Sequence, residues 1–203
     1  MREETRWEAK VRASPGHSQW YIDRFAAMRA EGADLDGEAR TVDAMLPRGA
    51  RVLDAGCGPG RVGGALAARG HRVLGVDVDP ALIAAARADH PGSDWRVGDL
   101  AELDLADDAG APLRFDLAVC AGNVLLFIAP ASGARVLGRI REHLAEDGRL
   151  VVGFGLDRGY APGEFAADAA AAGLVVDARF STWELRPFTP GSDFLVAFLS
   201  PAP

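Results

Sequence analysis

The residues best suited to chemistry stand in one stretch, Val52-Leu53-Asp54-Ala55-Gly56-Cys57-Gly58-Pro59-Gly60-Arg61, where a short apolar run ends in an acid and then in three glycines. Glycine has no side chain and reaches backbone conformations closed to other residues, so such a loop lets a ligand lie directly against the main chain. From Gly58 onward, Gly58-Pro59-Gly60-Arg61-Val62-Gly63 also satisfies the G-x-G-x-x-G spacing of a dinucleotide turn. Asp54 argues against that reading. A dinucleotide turn has its first glycine directly after the strand, and a carboxylate beside a pyrophosphate is electrostatically wrong. The same carboxylate suits a ligand amine that carries positive charge. Two further acids end apolar runs, Asp77 in Gly75-Val76-Asp77-Val78-Asp79 and Asp99 in Val97-Gly98-Asp99-Leu100. Taken alone, Asp77 also reads as a solvated strand-end carboxylate or helix cap, and Gly98-Asp99 as a plain turn. Asp79 reads as the cap of a helix opened by Pro80.

From about residue 50 onward, short apolar runs alternate with alanine-rich amphipathic stretches, as in repeated strand and helix units around a parallel sheet. Strands are predicted at 51–55, 72–76, 94–97, 115–120, 149–155, 174–180 and 193–199. The connection 181–192 is too short for a helical crossover and predicts a hairpin. The expected fold is α/β: a doubly wound, mostly parallel seven-stranded sheet with an antiparallel last strand and helices on both faces. Predicted helices follow at 61–69, from Pro80, at 131–146 with a stop at Asp147-Gly148, and at 162–172. Ahead of this core, one helix starts near Ser18 with Ile22, Phe25 and Met28 inward, and a second spans 36–46. The first twelve residues alternate charges around Trp7 and are expected to form a loosely docked arm without chemistry. One domain is expected over 1–203, with 1–47 packed over the carboxyl edge of a core at 48–203.

The stretch from Val52 to Gly60 resembles the first motif of the class I S-adenosylmethionine-dependent methyltransferases, and the resemblance extends from about Arg48 to Leu199. It implies that Asp77 accepts both ribose hydroxyls, for which one bidentate carboxylate is a fit. It implies also that Asp99 accepts from the adenine amino group. Gly56, Cys57, Gly58 and Gly60 would cradle the cofactor, with Val78 and Leu100 beside the two acids. Strand four ends at Cys120, and the loop after it, Ala121-Gly122-Asn123-Val124, would border the methionine moiety and the acceptor, with Cys120 and Ala121 against the cofactor. Related families close an amino-terminal helix over the cofactor, which implies a reach to its carboxylate for Tyr21 and Arg24, the latter through a two-pronged hydrogen bond. Amphipathic packing explains the same helix equally well. The implied activity is in-line methyl transfer to a small-molecule acceptor, with S-adenosylhomocysteine as product.

His17 is the one histidine of four whose place in the chain lets it reach such a pocket as a general base, and Asn123 is a second catalytic candidate. The acceptor is expected to be chosen by Asn123, Asp157, Arg158 and Tyr160, and by Trp183 and Arg186 in the last hairpin. A formal net charge of −7 with no basic run disfavours nucleic acid as a partner. No stretch is apolar enough for a membrane span and the start lacks a secretory signal, so a cytoplasmic monomer or homodimer is expected. Two cysteines suggest no disulfide framework, and a lone Asn123 after strand four makes a poor metal site. Two other readings stay open: a cofactor-binding regulatory or partner protein without catalysis, and an NAD(P)-dependent oxidoreductase.

Overall fold

Apolar runs buried on both faces become interior parallel strands, and each is followed by a helix that returns the chain over one face. The strands are β1 (Arg51–Ala55), β2 (Arg72–Asp77), β3 (Asp94–Val97), β4 (Phe115–Cys120), β5 (Leu144–Gly155), β6 (Leu174–Phe180) and β7 (Phe194–Pro201). The helices are α1 (Arg6–Ala13), α2 (His17–Ala30), α3 (Gly37–Ala44), α4 (Arg61–Ala68), α5 (Pro80–Asp89), α6 (Gly133–Glu142) and α7 (Pro162–Ala171). The computed structural model describes residues 2–156 and 158–203, so Asp157 lies outside the described residues. Among them, seven strands form one sheet in the order β3-β2-β1-β4-β5-β7-β6. Strands β1 to β5 pair in parallel, and β7 runs antiparallel to both β5 and β6. Winding reverses between β1 and β4, and the crevice at their carboxyl ends is where doubly wound sheets take ligands.

Each face of the sheet has its own core. Val136, Leu137 and Ile140 of α6 and Phe165 of α7 pack with Leu53, Ala118 and Leu150 on one side. Leu66 of α4, Ile83 of α5, Val42 of α3 and Trp95 pack with Val52, Val73 and Val119 on the other. Trp95 lies so close over Gly75 that a Cβ there would overlap its ring.

Two expectations are corrected. The predicted 131–146 helix stops at Glu142, and β5 already begins at Leu144, which pairs with Phe115. The register then shifts before Leu117 pairs with Arg149. Asp147-Gly148 is therefore an irregularity inside a strand rather than a helix stop, and a Cβ on Gly148 would meet the Phe115 carbonyl oxygen at 2.8 Å. The amino terminus is likewise no loose arm. Thr5 accepts from the Glu8 N–H while the Glu8 carboxylate accepts from the Thr5 N–H, a capping box that starts α1. The N–H groups of Arg6 and Trp7 donate to the carbonyls of Ile128 and Phe127, and Trp7 is buried.

Candidate functional site

A cleft of about 370 Å³ opens at the carboxyl ends of β1, β2, β3 and β4, within the range of small-molecule sites. Its floor is the loop after β1. Gly56 sits at φ +80°, and a Cβ there would collide with the Val124 side chain. Gly60, at φ +81°, turns the chain into α4 as its N-cap. Gly58 lies beneath Tyr21, with a hypothetical Cβ 3.7 Å from the ring.

Asp54 is buried at the end of β1, and its Oδ2 accepts the Gly63 N–H at 2.8 Å. Burial pushes its pKa up to about 7, against the lowering effect of that amide. Asp77 accepts the Gly58 N–H on Oδ2 at 2.9 Å and the Asp79 N–H on Oδ1 at 3.0 Å. Burial likewise raises its pKa to about 6, and the amides of Asp79 and Gly58 oppose the rise. Each carboxylate oxygen has a second lone pair for a ligand. Asp99 caps the turn at Leu100 through the Ala101 N–H at 2.9 Å, and its other oxygen takes the Arg2 guanidinium at 2.8 Å. The amides a pyrophosphate would use, those of Gly58 and Gly63, are thus already given to carboxylates, which disfavours the dinucleotide reading on geometry as well as charge.

Helices α1 and α2 form the roof with Trp7, Lys10, His17, Trp20, Tyr21, Arg24 and Phe25. The Trp7 ring meets Tyr21 edge-on at 5.3 Å and Phe127 at 5.7 Å, and tilts against His17 at 5.2 Å. His17 stacks on Trp20, whose other neighbour is the Arg24 guanidinium at 5.8 Å. Burial, and then Lys10, lower the His17 pKa, and Asp79 opposes them. Burial raises the Tyr21 pKa. Helix α3 stays out of the cleft and supports its floor from outside: Glu38 and the Leu35 carbonyl just ahead of α3 hold Arg61, a floor residue.

Of the residues singled out from sequence, His17, Tyr21, Arg24, Asp54, Gly56, Cys57, Gly58, Asp77, Val78, Asp99, Leu100, Ala121, Asn123 and Arg158 line this one cleft. Four do not. Gly60 faces Ala86, His90 and Trp95 behind the loop. Cys120 is sealed in the core, and burial raises its thiol pKa. The Tyr160 hydroxyl donates to Asp168 Oδ2 at 2.7 Å while its ring packs on Phe154, so it braces α7 against the core. The Trp183 ring packs against Gly153, where a Cβ would overlap it, and the Trp183 carbonyl accepts from Thr41 Oγ1, which binds the last hairpin to α3. Asn123 lines the cleft but has its Oδ1 engaged by the Gly155 N–H at 2.7 Å, tying the β4 loop to the end of β5. Sequence reasoning missed Thr5 at the N-cap of α1, Trp7 and Lys10 within it, and Phe127 and Ile128 after β4. The pattern Thr5-x-x-Glu8 was the available signal for the first group.

A family model described as "Methyltransferase domain" matches residues 52–148. Ubiquinone biosynthesis O-methyltransferases are similar: that of Xanthomonas campestris pv. campestris is 32% identical over 123 residues, which is 53% of this chain and 50% of that protein. That of Xylella fastidiosa is 34% identical over 125 residues, 54% of this chain and 49% of that protein. The chain thus spans about half the length of these curated relatives. A TehB-like SAM-dependent methyltransferase from Corynebacterium glutamicum is 46% identical, with a TM-score of 0.87 over 93% of this chain and 100% of that one. Likeness to the CcbJ methyltransferase of Streptomyces caelestis, at 22% identity and a TM-score of 0.72 over 84% of this chain and 91% of that one, shows the fold alone. With the glycine floor, the acids ending β1 and β2 and a full-length relative at 46% identity, the chain belongs to the class I S-adenosylmethionine-dependent methyltransferases.

Proposed function

We propose that this chain transfers the methyl group of S-adenosylmethionine to a small acceptor. One observation carries the reading: Asp54, Asp77 and Asp99 end three neighbouring strands and meet in a single roofed cleft floored by glycine. The donor set fits the cofactor. Asp54 suits the methionine ammonium and Asp77 the ribose hydroxyl pair; Asp99 suits the adenine amino group in exchange for Arg2. Tyr21 and Arg24 on the roof suit the methionine carboxylate. When bound, the cofactor supplies an electrophilic methyl group on a sulfonium. The chain's part is alignment and exclusion of water, and orientation alone can contribute about 7 to 11 kcal/mol.

The acceptor side has the opposite charge. Lys10, Arg24 and Arg158 border the cleft, and none pairs with a carboxylate among the described residues. Lys10 instead lies over the Phe127 ring at 5.5 Å. With Arg24 assigned to the cofactor, Lys10, Arg158 and the aromatic rings favour a compact acceptor bearing negative charge or an acidic oxygen. His17 stands on the same roof and is the residue we assign to take the acceptor's proton.

Calorimetric titration with S-adenosylhomocysteine and with NADH, repeated on Asp77→Ala, tests the reading. Micromolar binding of S-adenosylhomocysteine, weakened about a hundredfold or more in the variant, is the expected result. NADH binding in its place would overturn it.

A further inference from the structure

The turn from β2 into α5 carries two carboxylates with different work. Asp77 faces the cleft, whereas Asp79 is 7% exposed and makes contacts that no helix cap requires. Its Oδ1 caps α5 through the Ala81 N–H at 2.8 Å, and that one oxygen suffices for capping. Its Oδ2 accepts the Trp7 Nε1–H at 2.8 Å from α1 and the Ser18 hydroxyl from α2. An indole N–H only donates, so the bond to Trp7 runs one way, onto a buried negative charge where such bonds are strong. The Asp79 N–H in turn donates to Asp77 Oδ1 at 3.0 Å. One short turn therefore holds both a carboxylate of the floor and the two helices of the roof.

We propose that Asp79 is a positioning residue for methyl transfer, locking α1 and α2 down over the cleft through Trp7 and Ser18. The proposal rests on the methyltransferase reading. The chain's path gives it force. The amino-terminal segment crosses the strand ends from Arg2 on Asp99 after β3, through Trp7 on Asp79 after β2, to the Trp7 N–H on the Phe127 carbonyl at 3.1 Å after β4. The glycine loop after β1 lies between these anchors, so a ligand on that loop lies beneath the segment. Its release requires the segment to lift, and the Asp79 contacts resist lifting.

Two substitutions in the full chain separate this role from capping. Asp79→Asn keeps a good N-cap for Ala81 but turns an amide donor toward the Trp7 donor. Trp7→Phe keeps an aromatic ring in the cluster and removes the N–H. The readout is the stopped-flow dissociation rate of S-adenosylhomocysteine, with the thermal midpoint alongside. Each substitution is expected to raise the rate about tenfold or more, as loss of one hydrogen bond to a charged group does. The double variant is expected to release no faster than Asp79→Asn alone, because both changes cut one contact. Unchanged rates, or effects of the two changes that simply multiply, would overturn the proposal. Should the unaltered protein not bind S-adenosylhomocysteine, the methyltransferase reading fails by itself, and the lock is read from tryptic cleavage after Lys10 and Arg12. Faster cleavage in both variants supports the lock, and equal cleavage rejects it.

Discussion

Asp54 is buried and Asp77 half-buried in the cleft, both are held by main-chain N–H groups, and burial and those bonds pull their protonation in opposite directions. Burial wins, to about 7 for Asp54 and about 6 for Asp77. A protonated carboxyl cannot pair with a ligand ammonium, so affinity for S-adenosylhomocysteine should fall about tenfold or more from about pH 8 to about pH 5.5, by calorimetry. The sign for stability is the reverse. The folded pKa of Asp54 lies above the ordinary aspartate value of 3.8, so folding favours the proton, and stability of the ligand-free protein declines as pH rises from there through about 7. Asp54→Asn should therefore raise the thermal midpoint at about pH 8 by a few degrees while it weakens and flattens the binding profile, a stability gained at the cost of function. A lower midpoint in the variant would contradict the account. These acids were legible because a carboxylate after an apolar run and before glycine has few structural uses. Tyr160 and Trp183 misled because a large polar aromatic near a strand end serves equally to bind a ligand or to seal a core. Only the Asp168 partner and the packing on Gly153 show which.

At the level of elements, periodicity located every strand and the four helices of the α/β core, because buried runs and alanine-rich stretches differ in period. It failed where one signal has two physical meanings. Asp147-Gly148 ends a helix in many chains, yet here the pair sits in β5, where the strand shifts register against β4. A Cβ on Gly148 would stand 2.8 Å from both the Ala145 nitrogen and the Phe115 oxygen, and backbone cannot move aside as a flexible side chain can. Gly148→Ala should therefore destabilise the fold by about 1 to 3 kcal/mol in urea unfolding. Affinity for S-adenosylhomocysteine should stay unchanged, since Gly148 lies at the amino-terminal end of β5, away from the cleft. A neutral substitution would mean that the register shift adapts to a side chain. Helix α1 was missed for another reason: seven charged residues among the first twelve read as solvated chain, and the capping box and one buried indole outweigh them.

The whole molecule carries a formal charge of −7, but its cleft is divided, with acids on the floor and Lys10, Arg24 and Arg158 on the roof and rim. Arg24 and Arg158 were singled out from the sequence, whereas Lys10 stands in a segment expected to be a loose arm, so this division was legible only in part. Its consequence depends on range. The Debye length is about 8 Å at physiological ionic strength, so an acceptor in the cleft is governed by nearby cations and little by the distant net charge. If the acceptor is an anion, added salt should screen exposed Lys10 and Arg158 and raise its KM, by about twofold to tenfold between low and high salt. Affinity for S-adenosylhomocysteine should change far less, because buried carboxylates beneath the roof are poorly screened. Steady-state KM at two ionic strengths, with direct titration of S-adenosylhomocysteine at each, makes the comparison. A KM that falls with salt would assign the acceptor a positive charge and reverse the reading of the rim.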